Sequence, residues 1–426
     1  MMALFARIRF APVLLVGLIG VVWACQPAAE DPYPVKSYFE GTLTIRAEVD
    51  SVQNYADIEV FIPYDTGDGV DTLGYVLTDS TGAFAMTVSA PERGVYPLFI
   101  SRRGGLLKQD EIVIADGDSA ALRMAFPTAR PILPIRSAEN AAWLAYRNTK
   151  ALYDQSLRQA LQQENQSLEQ VEGIMNQTAQ VLWTMRETYP GTVGADVAGA
   201  ESVLMYSSRN DSMVVARAKQ LNPDQPGFLS VGRAARRAEA RLNGQYAALS
   251  LLDDMIAQAA SVDTKAGLMT EKVEAYADSQ ATEAGIAIAE EIQQTYPDSE
   301  WSTWAERAVY ALTTLQPGMT APTFAAQTIY GDSVNTAVFE EPYVLSFMNP
   351  ENPQFWQSLQ TAQAAAYTSI FIVPSLDSVY VEVLADLPNR PTIVEDRSGH
   401  LQTRFNAEQG ARVYVIEEGL FQATRQ

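Results

Sequence analysis

The segment Pro317-Gly318-Met319-Thr320-Ala321-Pro322-Thr323-Phe324 marks a change in the character of the chain. It is followed by a strand pattern at Tyr343–Met348, a helical pattern near Gln354–Ala366 and a second strand pattern at Ser369–Pro374. One more strand pattern, Val413–Glu417, comes close to the end of the sequence. Strands that alternate with helices indicate a partly parallel sheet. The sequence therefore predicts that its last part forms an α/β domain.

The order of these patterns resembles the redoxin and thioredoxin-like domains of envelope thiol-disulfide proteins, and we assign that domain to residues 316–426. Those domains open with Pro-Gly-x-x-Ala-Pro-x-Phe, and one of their strands leads into Cys-x-x-Cys at the start of a helix. Alignment of Phe347 with the end of that strand places the two cysteine positions at Asn352 and Phe355. The family's cis-proline, which holds substrate against the dithiol, corresponds to Arg412. The resemblance implies a thioredoxin-like fold without redox chemistry, because an amide and a phenyl ring can neither attack nor resolve a disulfide.

The preceding segment, 137–315, is predicted to be an all-α domain. Ala, Gln, Glu, Leu and Arg dominate it, and apolar residues recur at every third or fourth position. Ser137 begins the first helix, and two helices are predicted to stop before proline, at Tyr189-Pro190 and Tyr296-Pro297. We expect about six or seven helices, packed as a bundle and not as a repeat array.

Four basic residues within this segment share one side of a predicted helix: Arg233, Arg236, Arg237 and Arg241. Like charges so placed destabilise a helix unless acidic groups face them. Two interpretations remain open. The arginines could pair with carboxylates of a neighbouring helix, such as Asp253 and Asp254, or they could form a face for an acidic partner.

Residues 37–127 have apolar side chains at every second position instead. About seven short segments of this kind are separated by turns rich in Gly and Asp, which is typical of an antiparallel β-sandwich. The loop Asp65–Asp71 invites a calcium interpretation, but it lacks the pattern of an EF-hand, and a solvated hairpin turn is favoured. Three prolines, at 127, 131 and 134, form a stiff connector to the helices.

The amino-terminal residues predict an export signal. Two arginines precede an apolar run at Ala11–Val22, which is too short to span a bilayer stably. The small residue directly before Cys25 resembles the lipobox of bacterial lipoproteins. That resemblance implies a signal peptide at 1–24, acylation of Cys25, attachment to a membrane through the lipid, and a tether at 25–36. A plain secretory signal with an incidental cysteine is the alternative.

Composition restricts the chemistry further. The length suggests about two or three domains, and 51 acidic against 30 basic residues give a net charge of −21. Nucleic acid is not an expected partner, because phosphate binding needs a basic face. The chain has one histidine, His400, and one cysteine, so we expect no metal site, no cofactor and no histidine-based serine nucleophile. The acidic composition fits a high-salt habitat and an ordinary acidic envelope protein equally well.

The sequence thus predicts a lipid-anchored protein of the cell envelope, at the periplasmic or surface face, whose role is binding or scaffolding. A protein of the envelope is the candidate partner. Gln26 stands where an Asp is associated with inner-membrane retention, which favours the outer membrane. Two alternatives remain: a thioredoxin-like oxidoreductase that acts with a partner's cysteines, and an accessory ligand-binding lipoprotein of nutrient uptake. A binding protein is favoured over an enzyme, and enzymatic function stays open.

Overall fold

The computed structural model describes residues 31–49, 52–162, 167–364, 368–385, 390–408 and 411–422. The predicted signal and Cys25 lie outside the described residues. The chain divides into two compact units, residues up to Gly199 and residues from Ala200 onward, and each is described by itself. The division falls within the segment 137–315. Both strands and helices are abundant, so the chain is a mixed α/β protein.

The described part of the first unit begins with seven strands: β1 (Val35–Ile45), β2 (Ile58–Asp65), β3 (Val70–Leu77), β4 (Ala83–Ala90), β5 (Gly94–Arg102), β6 (Gly105–Ile114) and β7 (Ser119–Phe126). They form one sheet of order β4-β1-β7 and another of order β3-β2-β5-β6. Both sheets contribute to a single buried apolar cluster, in which Phe39 and Leu43 of β1 and Ile58 and Val60 of β2 are fully buried. These are the positions of period two in the sequence, because successive side chains of a strand point to opposite faces.

One strand pairing differs from the predicted antiparallel arrangement. β1 and β7 are parallel, with Tyr38 opposite Ser119 and Ile45 opposite Phe126, whereas β1 and β4 are antiparallel. The chain reaches β7 only after it has passed through β5 and β6 of the other sheet. Such a crossover connection allows parallel pairing, which a hairpin does not.

The acidic loop between β2 and β3 is a hairpin turn. Asp65 Oδ1 accepts the backbone N–H of Gly67 at 2.9 Å, and the N–H of Thr66 donates to the carbonyl oxygen of Gly69 at 2.9 Å. Asp71 accepts the hydroxyl of Tyr33. The carboxylates at both ends of the loop, Asp65 and Asp71, thus each accept a hydrogen bond from the protein itself.

Nine helices follow in the described residues: α1 (Ala138–Leu161), α2 (Leu168–Thr188), α3 (Val193–Leu204), α4 (Asp211–Ala218), α5 (Phe228–Asn243), α6 (Gln245–Gln258), α7 (Val262–Asp278), α8 (Thr282–Thr295) and α9 (Glu300–Thr314). Ser137 caps α1 by accepting the N–H of Asn140 at 3.0 Å, and Tyr189 and Tyr296 are the residues at which α2 and α8 end. The number exceeds the predicted six or seven because short breaks escape the sequence pattern. Gly244, with φ of 87°, separates α5 from α6 in a conformation that favours glycine.

The second unit ends in strands and helices that alternate: β8 (Ala325–Gln327), β9 (Ser333–Asn335), β10 (Tyr343–Phe347), α10 (Pro353–Ala364), β11 (Thr368–Val373), α11 (Ser378–Ala385), β12 (Thr392–Glu395), α12 (His400–Arg404), β13 (Arg412–Glu417) and β14 (Leu420–Phe421). Five of these strands form a sheet of order β12-β11-β10-β13-β14. β10, β11 and β12 are parallel, and β13 is antiparallel to β10, so the sheet is partly parallel as predicted.

Both faces of this sheet are covered. Ile370 and Ile372 of β11 belong to one buried apolar cluster, and Phe371 between them belongs to another. Neighbouring side chains of a strand point to opposite faces, which explains the near-continuous apolar sequence of β10 and β11. Among the described helices, none is both long and apolar enough to cross a membrane.

Candidate functional site

The first predicted dithiol position, Asn352, directly precedes α10. Its side-chain Oδ1 accepts the N–H of Gln354, and its carbonyl oxygen accepts the N–H of Phe355, both at 2.9 Å. Asn352 thereby satisfies backbone donors of the first helical turn, which have no partner within the helix. The residue is exposed and serves to begin the helix.

The second position, Phe355, is fully buried. Its ring contacts Phe371 edge-on at a centroid distance of 6.0 Å and Trp356 at 5.2 Å, and it shares an apolar cluster with Leu359 and Ile393. A redox-active thiol has to be reachable by its substrate. The side chain at residue 355 points instead into the packing between α10 and the sheet.

Arg412, which the sequence analysis aligned with the cis-proline of thioredoxin-like domains, is the first residue of β13 and lies opposite Phe347 at the end of β10. The strand that carries this position is thus next to the strand that leads toward Asn352. The guanidinium of Arg412 is exposed and makes no hydrogen bond or ion pair with the described residues.

The predicted arginine row on α5 divides into buried and exposed members. Arg236 is only 2% exposed, and its Nε contacts Glu271 Oε2 at 3.2 Å while its Nη1 contacts Asp278 Oδ2 at 2.6 Å. Arg233 Nε contacts the other oxygen of Glu271 at 2.6 Å. Glu271 is itself 3% exposed, so α7 supplies a buried carboxylate to two arginines. Arg236 consequently has no part in an open face.

The other three arginines are exposed, although Arg233 keeps its contact with Glu271. Arg241 pairs with Asp211 at 2.7 Å, and this hydrogen bond lowers the pKa of Asp211. Arg237 is exposed and has no ion pair among the described residues. Asp253, a partner suggested by the sequence, instead pairs with Lys272 at 2.7 Å. The carboxylates that pair with α5 therefore come from α7 and from the start of α4.

A cavity of about 130 Å³ lies in the second unit and is lined by residues of α7, α9 and the region around β13. Apolar side chains form part of its wall. Its polar and aromatic lining consists of Glu274, Trp304, Arg307, Gln316, Asn406 and Arg412. Of these, Arg412 alone was a candidate functional residue in the sequence analysis. Residues so distant in sequence show no spacing that could reveal their proximity.

Two of the polar groups in this cavity are already engaged. Arg307 Nη1 pairs with Glu408 Oε2 at 2.6 Å, and Gln316 Nε2 donates to the carbonyl oxygen of Ala311 at 3.0 Å. The charge of Arg307 is thus compensated by a neighbouring carboxylate. These contacts fix two sides of the cavity without occupying its centre.

The side chains of Glu274 and Arg412 are different, because neither makes a hydrogen bond or an ion pair within the described part of the chain. Glu274 is exposed to the cavity, yet the protein around it displaces bulk water. This desolvation, together with the negative charge of Glu271, raises the pKa of the Glu274 carboxyl, and the positive charge of Arg412 partly opposes the shift. The cavity therefore holds one carboxylate and one guanidinium whose hydrogen-bonding capacity is unused.

No metal site is evident in the described residues, where no three His, Cys, Asp or Glu side chains come together. His400 lies exposed at the start of α12, and its backbone N–H donates to Ser398 Oγ at 3.4 Å. It does not line the cavity.

No protein-family model and no curated protein matches the chain. Solved structures give partial likenesses. A thioredoxin-like protein from Bacteroides caccae is 10% identical and covers 59% of this chain and 89% of its own, with a TM-score of 0.26. A thiol:disulfide interchange protein DsbE from Chlorobium tepidum is 18% identical, and the match covers 25% of this chain and 83% of that protein, with a TM-score of 0.22. A Podosopora anserina kinesin light chain with TPR-like repeats is 12% identical, and the match covers 39% of this chain and 88% of that protein, with a TM-score of 0.26. Thioredoxin-like proteins are thus among the structural neighbours, at scores too low to establish a shared fold.

Proposed function

We propose that this chain is a bacterial envelope lipoprotein whose thioredoxin-like carboxyl-terminal domain is redox-inactive and serves in binding or scaffolding. In this proposal, residues 37–127 form a β-sandwich, 137–315 a helical domain and 316–426 the thioredoxin-like domain. The lipid at Cys25 holds the protein at the outer membrane.

The observation that carries the proposal is the environment of Phe355. It lies at a dithiol position of the family and is fully buried against Phe371. Asn352, at the other position, is committed to the start of α10 through its hydrogen bonds. The sheet order, with β10 between parallel β11 and antiparallel β13, supports the assignment of these positions.

The redox part of the proposal predicts that the purified full-length chain reduces insulin no faster than the blank. Cys25 is the only cysteine, so the folded region has no thiol with which to attack a disulfide. An active thioredoxin serves as the positive control. Activity above the blank that persists in Cys25→Ser would refute redox inactivity, because no thiol of the chain could then account for it.

The anchoring part predicts that the protein fractionates with membranes and that Cys25→Ser is released or left unprocessed. Each buried CH₂ of an acyl chain contributes about 0.8 kcal/mol, so the several chains of a lipoprotein hold it almost permanently. Cell fractionation and the mass of the mature protein measure both effects. A Cys25→Ser protein that is still processed and still bound to membranes would contradict the anchor.

A second candidate function, an accessory ligand-binding lipoprotein of nutrient uptake, is favoured by one observation. The cavity is lined by the carboxylate of Glu274 and the guanidinium of Arg412, and neither side chain makes a hydrogen bond or an ion pair with the described residues. An oxidoreductase that borrows a partner's cysteines has no comparable support, since the buried Phe355 leaves no access at that position.

A further inference from the structure

We propose that the cavity between α7, α9 and β13 binds a small zwitterion, namely an α-amino acid with a short side chain. The inference builds on the proposed binding role and specifies a ligand class for it. Arg412 would bind the carboxylate, and Glu274 would bind the ammonium group.

The charges of the cavity select this ligand class. The planar fork of a guanidinium matches a carboxylate through two parallel hydrogen bonds, and a carboxylate accepts hydrogen bonds from an ammonium group. Because Glu408 already pairs with Arg307, the charged groups of the cavity that form no ion pair are Glu274 and Arg412, whose opposite charges act on each other only through the field between them. An anion would be attracted by Arg412 and repelled by Glu274. A cation would be attracted by Glu274 and repelled by Arg412. A zwitterion satisfies both groups and leaves no charge unpaired.

The size of the cavity sets the limit on the side chain. A cavity of about 150 Å³ accommodates benzene, with about six non-hydrogen atoms. The 130 Å³ here suits a molecule of similar or smaller size, such as glycine or alanine. Trp304, Leu312 and Ala277 give the wall apolar surface against which a methyl group can pack.

The test is isothermal titration calorimetry of the full-length chain with L-alanine. Propionate, which lacks the ammonium group, and L-alaninamide, which lacks the carboxylate, are the comparison compounds, and neither is larger than L-alanine. We expect saturable binding of one L-alanine per chain and binding at least about tenfold weaker for either comparison compound, because each leaves one charged group of the cavity unpaired.

Variants assign the two contacts. Glu274→Gln should weaken L-alanine binding at least about tenfold and remove the preference of the cavity for L-alanine over propionate. Arg412→Gln should weaken it by a similar factor and remove the preference for L-alanine over L-alaninamide. Arg397→Gln is the matched control, since Arg397 is 77% exposed, lies in the same unit and does not line the cavity. Its affinity for L-alanine should equal that of the unaltered chain. Thermal unfolding curves verify that each variant is folded.

Three results would overturn the inference: no saturable heat with either L-alanine or glycine, equal affinity for the comparison compounds, or an L-alanine affinity that neither cavity variant changes. None of these results affects insulin reduction. Failure of this inference is therefore distinguishable from failure of the redox-inactive assignment.

Discussion

Replacement of Arg236 with methionine is expected to lower the free energy of unfolding by about 3 kcal/mol. Removal of one partner from a buried ion pair typically costs about 3–5 kcal/mol, because the other charge is left without compensation. The lower end applies here, since Arg233 still contacts the carboxylate of Glu271 in the variant. Urea-induced unfolding followed by circular dichroism measures the change.

Arg237→Met is the matched control, because it removes the same charge from the same helix. Arg237 is exposed and has no ion pair among the described residues, so its loss should change stability by less than about 0.5 kcal/mol. A double variant, Arg236→Met with Glu271→Leu, should recover part of the loss, since an apolar pair often replaces a buried ion pair without penalty. Equal losses at 236 and 237 would show that Arg236 is not held in a buried pair.

Restoration of a dithiol by Asn352→Cys and Phe355→Cys is expected to destabilise the chain by about 3 kcal/mol and to yield a poor oxidoreductase. Truncation of a buried phenylalanine to alanine costs about 3–5 kcal/mol, and the cysteine side chain recovers only part of the lost contacts. The new thiol at 355 would lie between α10 and the sheet, away from any substrate. In the alignment predicted from the sequence, Arg412 also occupies the position of the substrate-positioning proline of thioredoxin-like domains.

Urea unfolding under reducing conditions and the insulin assay measure these two effects. Asn352→Cys alone is the control, and it should lose only about 0.5–2 kcal/mol because the cap of α10 is removed. A double variant as stable as the single variant, with turnover near that of an active thioredoxin, would mean that residue 355 faces solvent.

Local features were predictable from the sequence because local physical chemistry determines them. The alternation around Phe39 and Leu43 marks a strand with one buried face, and both side chains are fully buried. Tyr296-Pro297 ends a helix because the residue before proline avoids the helical conformation. The strand at Tyr343–Phe347 and the helix after it also lie where the pattern predicted them.

Features that depend on distant residues were not predictable. Helical spacing groups Arg236 with Arg233 and Arg237, but it does not reveal which of them faces a neighbouring helix. The alanines around Arg236 were a clue, because small residues let helices approach each other closely. The structure shows such an approach at Gly232, where an added Cβ would lie 2.7 Å from Cδ2 of Leu268. The cavity gave no such signal, because Glu274 and Arg412 meet only in the folded chain.

The parallel pairing of β1 with β7 has a consequence for biosynthesis. Because synthesis proceeds from the amino terminus, β1 is made early. Its parallel partner β7 is complete only when Phe126 has been added. Until then β1 can pair only with β4, and its other edge presents free backbone donors and acceptors. Pairings between distant segments form slowly, because the intervening loop must close before they stabilise anything. The three-stranded sheet of the first unit can therefore be completed only after β5 and β6 have been made, and until then the free edge of β1 is open to edge-to-edge association.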